Sequence, residues 1–330
     1  MVAERERSGF ARCPPKFNPY SKLAGTPIGA MKLREDEAPG FVAGKGFVMR
    51  IVKSVAEMQA VCRELRAGGN VVGFVATMGA LHEGHLSLVR RARTECGAVV
   101  ASIFVNPLQF APGEDLATYP RTFVEDCARL EAEGAEVLFA PEVGEMYPEG
   151  AVTTVTVAGV GDRLDGASRP GHFTGVATVV AKLFHAVGRC RAYFGLKDAA
   201  QVAVLRRLVR DLNFDVELVG CAIVRDADGL ALSSRNQYLS VEERGRALVL
   251  RKALVEMERR IAGGVRESAV LMETGMAVLR EEAGVRVDYL AVVDADTLLP
   301  VERVGVATLV AVAAYVGMTR LIDNFLATVG

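Results

Sequence analysis

The stretch that decides the fold is "NVVGFVATMGALHEGHLSLVRRARTEC", residues 70–96. Its first part is a continuous apolar run rich in β-branched residues, which is typical of a strand buried on both faces of a sheet. Apolar residues then recur with a helical period in "HLSLVRRARTEC". A buried strand that leads directly into a helix predicts one unit of a parallel α/β sheet.

The same alternation continues on both sides of this stretch. Strand character is found in "RIVKSV", "AVVASIFV", "AEVLFAP", "RAYFG" and "VELVGCAIV", and segments with a helical period separate these runs. Continuous apolar strands separated by helices indicate a parallel sheet that is covered on both faces. We therefore predict a Rossmann-like α/β domain over residues 49–224.

The pattern changes on either side of that domain. Two helical segments, at 241–262 and 266–283, precede the strands "VDYLAVVD" and "ATLVAVAAYVG". They predict a smaller C-terminal α+β lid domain over residues 225–330. Residues 1–48 carry five of the twelve prolines and no apolar leader segment, so we expect a mostly disordered extension, with Met49 as an alternative start of translation.

Composition excludes several classes of function. The 330 residues carry a net charge of −1, so no basic field favours nucleic acid or an acidic membrane surface. No apolar run reaches the length of a transmembrane helix. The six cysteines lie far apart without a C-x-x-C pair, which favours reduced thiols in the cytoplasm over disulfides or a zinc site.

The turn from Met78 to His85 lies between the buried strand and its helix. Ligands of open α/β sheets bind beyond the carboxyl ends of the strands, and a helix N-terminus there suits phosphate. His82 and His85 are three positions apart, whereas the H-E-x-x-H zinc motif needs four. The spacing disfavours a metal site. Phosphate contacts and a simple helix cap both remain open.

Further phosphate chemistry is found downstream. "FGLKD" again follows a strand and precedes a helix, so Lys197 could meet a phosphate and Asp198 a ribose hydroxyl, or the pair could form a solvated helix cap. Ser233, Ser234 and Arg235 bring two hydroxyls and a guanidinium together. These groups suit an anionic transition state, although they could equally form the cap of the next helix.

Uncharged amides follow another strand. "SIFVNPLQF" places Asn106 and Gln109 just past the strand end. Amides at that position suit a small polar substrate, although a turn around Pro107 would explain them equally well.

Together these segments resemble one family. "TMGALHEGHLSLV", "FVNPLQF", "YPRT", "RPGHFTGVATVV", "FGLKD" and "VRDADGLALSSRN", with a closing "TRLIDN", occur in the order and approximate spacing of the pantoate–β-alanine ligases. The resemblance covers roughly residues 49–324. The combination is specific, whereas the H-x-G-H signature alone indicates only the broader nucleotidyltransferase superfamily.

The resemblance implies an ATP-dependent ligase that works in two steps. Pantoate attacks the α-phosphorus of ATP to give pantoyl adenylate and pyrophosphate, and β-alanine then displaces AMP to give pantothenate. The family also implies magnesium on the phosphates, a homodimer and a cytoplasmic enzyme. Transfer of an AMP group needs charge neutralisation and in-line positioning more than covalent help from the protein, which agrees with the residue types.

The resemblance also implies roles for individual residues. His85 is similar to the family's proton donor and His82 to a further phosphate contact, and Gln109 and Gln201 are similar to the glutamines that hold pantoate. The expected catalytic residues are His82, His85, Lys197, Ser233, Ser234 and Arg235. The expected ATP-binding residues are Met78, Gly79, Ala80, Leu81, His82, Glu83, Gly84, His85, Gly195, Leu196, Lys197, Asp198, Val224, Leu232, Ser233, Ser234 and Arg235.

Two further groups are expected near the substrates. Glu125 and Asp126 could help to place magnesium, although an exposed acidic helix start explains them equally well. Positions of the family motif near the substrate pocket are occupied by Asn106, Tyr119, Arg169 and His172.

The chain departs from the family pattern at five positions. Two of them are Ala200, which replaces a glutamine, and Leu232, which replaces a methionine of similar shape. Ala76 replaces a proline before the phosphate turn, Leu196 replaces a glutamate, and Ala199 replaces a tyrosine. We expect an active enzyme with altered ATP affinity. Another H-x-G-H nucleotidyltransferase and a catalytically impaired ATP-binding homologue remain the alternatives, and the glutamines Gln109 and Gln201 favour a small hydroxy acid as substrate.

Overall fold

A computed structural model describes residues 48–328 of the chain, so nearly all of the expected N-terminal extension lies outside the described residues. Six parallel strands form one sheet in the order β1-β4-β3-β2-β5-β6, which confirms the predicted Rossmann-like architecture. The strands are β1 Arg50–Val52, β2 Val72–Thr77, β3 Ala98–Ile103, β4 Val137–Phe139, β5 Cys190–Gly195 and β6 Val216–Cys221.

The strand order reverses direction between β2 and β5. The chain moves outward from β2 through β3 to β4, and later moves outward in the opposite direction from β5 to β6. The connections at such a reversal leave a crevice beyond the carboxyl ends of the two central strands. The turns after Thr77 and Gly195 therefore flank the place where ligands bind in sheets of this kind.

Helices cover both faces of the sheet, as predicted from the continuous apolar strands. Neighbouring residues of β2 supply opposite faces: Phe74 joins one core cluster and Val75 another. Each fully buried side chain of this size contributes about 1.5–3 kcal/mol. The helices within the sheet region are α1 Val55–Ala67, α2 Glu83–Glu95, α3 Phe123–Ala132, α4 Val143–Met146, α5 Asp165–Ser168, α6 His172–Val187 and α7 Ala199–Asp211.

The C-terminal part contains two helices and a small antiparallel sheet. These are α8 Val241–Ala262, α9 Ser268–Arg280, β7 Val285–Asp294, β8 Thr308–Val316 and β9 Thr319–Leu326, with the strand order β7-β8-β9. The sequence predicted the first two strands and missed β9. Its polar residues Arg320, Asp323 and Asn324 hide a strand pattern, because their partners lie far away in the sequence.

The two parts share polar and apolar contacts. Arg320 donates to Asp165 (2.7 Å), which precedes α6. Apolar residues of the C-terminal sheet region, among them Val293 and Leu309, belong to the same core cluster as Phe74. The boundary that we predicted at residue 224 stays a prediction, since β6 already ends at Cys221.

Two observations bear on the environment of the protein. In the part of the chain that the structure describes, no helix is both long and apolar enough to cross a bilayer. The five cysteines in that part, Cys62, Cys96, Cys127, Cys190 and Cys221, carry free thiols.

Candidate active site

The turn after β2 is held by one buried carboxylate. Gly79 and Ala80 both have positive φ angles, of 83° and 49°, and the second is costly for a residue with a side chain. Asp126, at the start of α3, is 2% exposed and accepts hydrogen bonds from the Ala80 and Leu81 N–H groups at 2.9 and 2.8 Å. It also accepts from Thr122 Oγ1 (3.1 Å). The strained backbone is therefore stabilised from within the sheet region.

This arrangement does not fit the magnesium contact that the sequence suggested for Glu125 and Asp126. Both oxygens of Asp126 already accept hydrogen bonds, and Glu125 is exposed on the helix surface. Among residues 48–328 no group of three or more histidine, cysteine, aspartate or glutamate side chains is placed to hold a metal ion. Asp126 has the structural task of fixing the turn.

His82 and His85 cap the helix and keep one nitrogen each for a ligand. The Nδ1 atom of His82 accepts from the Gly84 N–H (3.1 Å), and that of His85 accepts from the His82 N–H (3.3 Å). Because Nδ1 accepts in both rings, the proton of each neutral imidazole lies on Nε2. The rings are 4.1 Å apart between centroids. The cap and the phosphate contact, which the sequence left as alternatives, are compatible.

Both imidazoles are held in the neutral form. Burial, followed by the positive charge of Lys197, lowers the pKa of His82 from 6.5 to about 4. Burial, then His82 and Lys197, lowers the pKa of His85 to about 3. The pair therefore offers two neutral N–H donors and adds no positive charge at neutral pH. Glu83, between them, points outward and pairs with Arg90.

The turn after β5 has a different support. Its carbonyl oxygens at Leu196 and Lys197 accept hydrogen bonds from Asn324 Nδ2 of β9, at 3.0 and 2.8 Å. Lys197 Nζ lies 3.6 Å from Asp198 Oδ1. Asp198 occupies the cap position of α7 without making a side-chain cap bond, so its carboxylate remains available to a ligand. The capping role that we considered for Asp198 is absent.

Three of the departures from the family pattern, at Ala76, Leu196 and Ala199, lie in packed positions. Leu196 packs over Gly220 of β6, where an added Cβ would lie 3.0 Å from Leu196 Cδ2. Leu196 and Ala199 both pack against the main core cluster. Ala76 lies within β2, paired with Ser102. Leu196 therefore has an apolar environment, which explains why a leucine is tolerated in place of a carboxylate.

The serine–arginine segment, Leu232 to Arg235, lies across the site. Gly84 and Leu232 are neighbours: a Cβ on Gly84 would lie 3.8 Å from Leu232 Cβ. Ser233 caps the short helical turn that follows by accepting from the Arg235 N–H (3.3 Å). Leu232 N–H donates to the Val224 carbonyl (3.0 Å), so this segment is also hydrogen-bonded to another of the expected ATP-binding residues.

Gln109 is linked directly to the phosphate turn. Its Nε2 donates to Met78 Sδ (2.8 Å), and its Oε1 accepts from Asn106 Nδ2 (3.2 Å). Asn106 is 1% exposed and accepts from the Tyr147 hydroxyl (2.7 Å). Because Asn106 is itself fixed, it determines which end of the Gln109 amide faces the turn.

A second network fixes the main chain of Gln109. His172 Nδ1 lies 2.8 Å from the Gln109 carbonyl oxygen, and its Nε2 lies 3.1 Å from Arg169 Nη1. Since Arg169 can only donate, His172 is neutral and donates from Nδ1. Burial, followed by the charge of Arg169, lowers the pKa of His172 to about 4. Arg169 and His172, which the sequence placed only near the pocket, therefore act on Gln109.

A cleft of about 920 Å³ opens between the two parts of the protein. It brings together Lys197, Asp198, Gln201, Ser233 and Arg235, and the ring of His172 also lines it. His82, His85, Met78 and Gln109 do not line this cleft, although their contacts place them beside residues that do. The predicted residues thus form two adjoining groups.

Sequence reasoning missed four residues that hold the site. Asn324 was quoted in "TRLIDN" without a role, Tyr147 was not considered, and the adjacent acids Glu114 and Asp115 pair with Arg169 and Arg235. The signal available for Glu114 and Asp115 was weak, since an acidic pair in a loop with glycine and proline is usually a solvated turn.

Comparison with known proteins now adds an independent result. The family model described as pantoate-beta-alanine ligase matches residues 50–326. The pantothenate synthetase of Acidobacterium capsulatum is 62% identical over 289 residues, which cover 84% of this chain and 97% of the relative. That of Koribacter versatilis is 58% identical over 276 residues, with 84% and 95% covered.

Solved structures agree with the sequence relatives. The crystal structure of pantothenate synthetase from Thermus thermophilus is 50% identical, with a TM-score of 0.79, and covers 84% of this chain and 99% of that chain. The pantoate-beta-alanine ligase from Francisella tularensis, complexed with beta-gamma ATP and beta-alanine, is 31% identical, with a TM-score of 0.66 and coverage of 86% and 99%. The chain therefore belongs to the pantoate–β-alanine ligase family.

Proposed function

We propose that this chain joins pantoate and β-alanine at the expense of ATP, giving pantothenate, AMP and pyrophosphate. The observation that carries the proposal is the contact between Met78 Sδ, in the turn that presents the histidines, and the amide of Gln109. It supports a site for a small acid directly beside the turn to which we assign the phosphates. A carboxylate bound there would lie next to the α-phosphorus, as in-line attack requires.

In the first step a pantoate carboxylate oxygen forms a bond to the α-phosphorus, and the bond from phosphorus to the bridging oxygen of pyrophosphate breaks. Negative charge grows on the phosphate oxygens. The Nε2–H groups of His82 and His85 and the ammonium of Lys197 are the donors that we assign to it. Preorganised donors of this kind lower the barrier because they need no reorganisation as the charge develops.

In the second step the free amine of β-alanine attacks the acyl carbon of pantoyl adenylate. The carbon–oxygen bond to AMP breaks, AMP leaves with the electron pair, and the attacking nitrogen loses a proton. We assign pantoate to Gln109 and Gln201, the ribose to Asp198, and the triphosphate to Arg235 with Ser233 and Ser234. The Francisella tularensis relative, complexed with beta-gamma ATP and beta-alanine, supports this pair of substrates.

We assign magnesium to the substrate. Mg²⁺ is commonly bound through phosphates and water with few protein carboxylates, and the Glu125 and Asp126 pair offers no free site. We also propose a homodimer in the cytoplasm. The free thiols of the described cysteines fit a reducing compartment, and the dimer rests on the resemblance to the family. Light scattering of the purified protein tests the dimer.

The direct experiment incubates the purified protein with ATP, magnesium, pantoate and β-alanine and measures AMP and pantothenate. We expect equal amounts of AMP and pantothenate, and neither product when pantoate or β-alanine is omitted. AMP formation without pantoate would favour a nucleotidyltransferase with another substrate. A folded protein that binds ATP but forms no product would be an impaired homologue.

A further inference from the structure

The loop 111–119 contains two neighbouring carboxylates that reach opposite halves of the site. Glu114 pairs with Arg169, and Asp115 pairs with Arg235. Both acids are mostly buried, with 24% and 23% of their side chains exposed. Neither is among the residues to which the family resemblance assigns a substrate.

Glu114 closes the network behind Gln109. Its two oxygens accept from Arg169 Nε (2.8 Å) and Nη2 (2.6 Å), which is the bidentate geometry that fixes a guanidinium plane. The same Arg169 reaches the Gln109 carbonyl oxygen from Nη2 (3.3 Å) and His172 from Nη1. Glu114 therefore fixes the orientation of both groups that donate to the main chain of Gln109.

Asp115 fixes Arg235 in the same way. Its oxygens accept from Arg235 Nε (2.9 Å) and Nη2 (3.0 Å). One further contact binds the serine–arginine segment to this loop, since the Tyr119 hydroxyl lies 3.3 Å from Ser234 Oγ. A second contact binds the helical turn that follows the segment, since the Tyr238 hydroxyl donates to the Thr118 carbonyl (3.3 Å). The loop is thus the surface on which the segment rests.

The ion pair leaves Arg235 able to bind a ligand. A guanidinium has five N–H groups, and Asp115 takes two of them along one edge. Three N–H groups remain on the other edges, while Arg235 lines the cleft beside Lys197. Because the rotamer is already fixed, less conformational entropy is lost when an anion binds.

We propose that Glu114 and Asp115 are positioning residues with separate tasks, Glu114 for the pantoate site through Arg169 and Asp115 for the triphosphate site through Arg235. The proposal rests on the proposed function, since it assigns a substrate to each half. Each acid acts through its arginine, and we assign it no substrate contact of its own. The loop 111–119 thereby sets the relative placement of the two substrates.

The test compares Glu114→Gln with Asp115→Asn in steady-state kinetics of pantoate-dependent pyrophosphate release. Each change removes the charge and keeps the size of the side chain. We expect Glu114→Gln to raise KM for pantoate about tenfold and leave KM for ATP within about twofold, and Asp115→Asn to do the reverse, since loss of one charge-assisted pair changes affinity by about that factor. Glu217→Gln, which removes a similar pair with Arg191 at the opposite end of the sheet, is the matched control.

The two neighbours serve as controls for each other. A general loosening of the loop would raise both KM values in both variants, and that result would overturn the proposal. Equal KM values in wild type and variants would overturn it as well. Restoration of the wild-type KM values by Glu114→Asp or Asp115→Glu, which keep the charge, would support it. If wild type itself releases no pyrophosphate with pantoate, the proposed function fails, which is a distinct outcome from an active wild type without the split.

Discussion

The two turns at the strand reversal each join a buried strand to a helix, but they are held by different means. The turn after β2 is fixed by Asp126 and by its own histidine caps, all within the parallel-sheet region. The turn after β5 has no side-chain cap and depends on Asn324 from the C-terminal sheet. One wall of the proposed phosphate site is thus held within the first part of the protein, whereas the placement of Lys197 depends on the second.

The largest effect is expected for His85→Ala, which removes a hydrogen-bond donor from the turn after β2. We expect kcat for adenylate formation to fall about 10²–10³-fold, which is typical for the loss of one preorganised donor, with little change in pantoate binding. Single-turnover formation of pyrophosphate measures the effect. His185→Ala, at an exposed position on α6, should behave as wild type. Equal losses in kcat and pantoate affinity would instead assign His85 a structural role.

A pair of variants at Asp126 and Glu125 distinguishes structural support of the turn after β2 from magnesium binding. Asp126→Asn replaces an acceptor by an N–H₂ group facing backbone donors. It should lower the free energy of unfolding by about 2 kcal/mol and kcat by about tenfold. Glu125→Gln, at the adjacent exposed position, should stay within about 0.5 kcal/mol of wild type and keep its magnesium dependence. Urea unfolding and kinetics at varied magnesium provide the measurements. A shifted magnesium requirement in Glu125→Gln would restore the metal hypothesis.

Asn324→Ala tests the dependence of the second turn on the C-terminal sheet. Two half-buried carbonyl oxygens lose their donor, which costs about 1–3 kcal/mol. We expect KM for ATP to rise about fivefold because Lys197 loses its fixed position, whereas KM for pantoate stays unchanged. Asn70→Ala removes a comparable amide that donates to Leu65 O (3.1 Å) far from the site, so it should leave both KM values unchanged. An unaltered KM for ATP in Asn324→Ala would show that the second turn is also intrinsic.

His82→Asn tests the neutral state of the first turn with a small expected effect. The folded protein holds the pKa of His82 at about 4, below its ordinary 6.5, so the folded state binds the proton more weakly than the unfolded chain. Stability from this group is complete above pH 6.5 and is lost as the pH falls towards 4. Asparagine keeps the cap and does not titrate.

We therefore expect the unfolding free energy of His82→Asn to fall less than that of wild type between about pH 7 and pH 4.5, by about 1–2 kcal/mol after allowance for solvent screening. Urea unfolding at several pH values measures the slope. His185→Asn, at an exposed position on α6, is the control for the substitution itself. An identical slope in His82→Asn and wild type would contradict the neutral, buried histidine.

The sequence predicted the parallel sheet because apolar strands and amphipathic helices are local patterns. It predicted that the phosphate turns follow strands for the same reason. It could not predict that Asp126 supports the turn, or that Asn324 supports the other one, because each contact joins residues far apart in the chain. The sequence also missed β9, the third strand of the C-terminal sheet, because its polar residues find their hydrogen-bond partners only in the tertiary structure.

The environment of Leu196 is another feature that the sequence did not reveal. The loss of a carboxylate beside Lys197 suggested a weakened phosphate site. The side chain packs over Gly220 and against the main core, which explains how a leucine fits there, and the change in ATP affinity stays a prediction. Which way a side chain points from a turn is set by the packing of neighbouring strands, and no local pattern reports it.

In the proposed reaction, a phosphate turn and an acid site lie in contact and activate pantoate with ATP. Exchange of labelled pyrophosphate into ATP, with pantoate and without β-alanine, isolates the first step of that reaction. We expect exchange that requires pantoate and falls sharply in His85→Ala. No exchange from folded wild-type protein with ATP, magnesium and pantoate would contradict the proposed reaction.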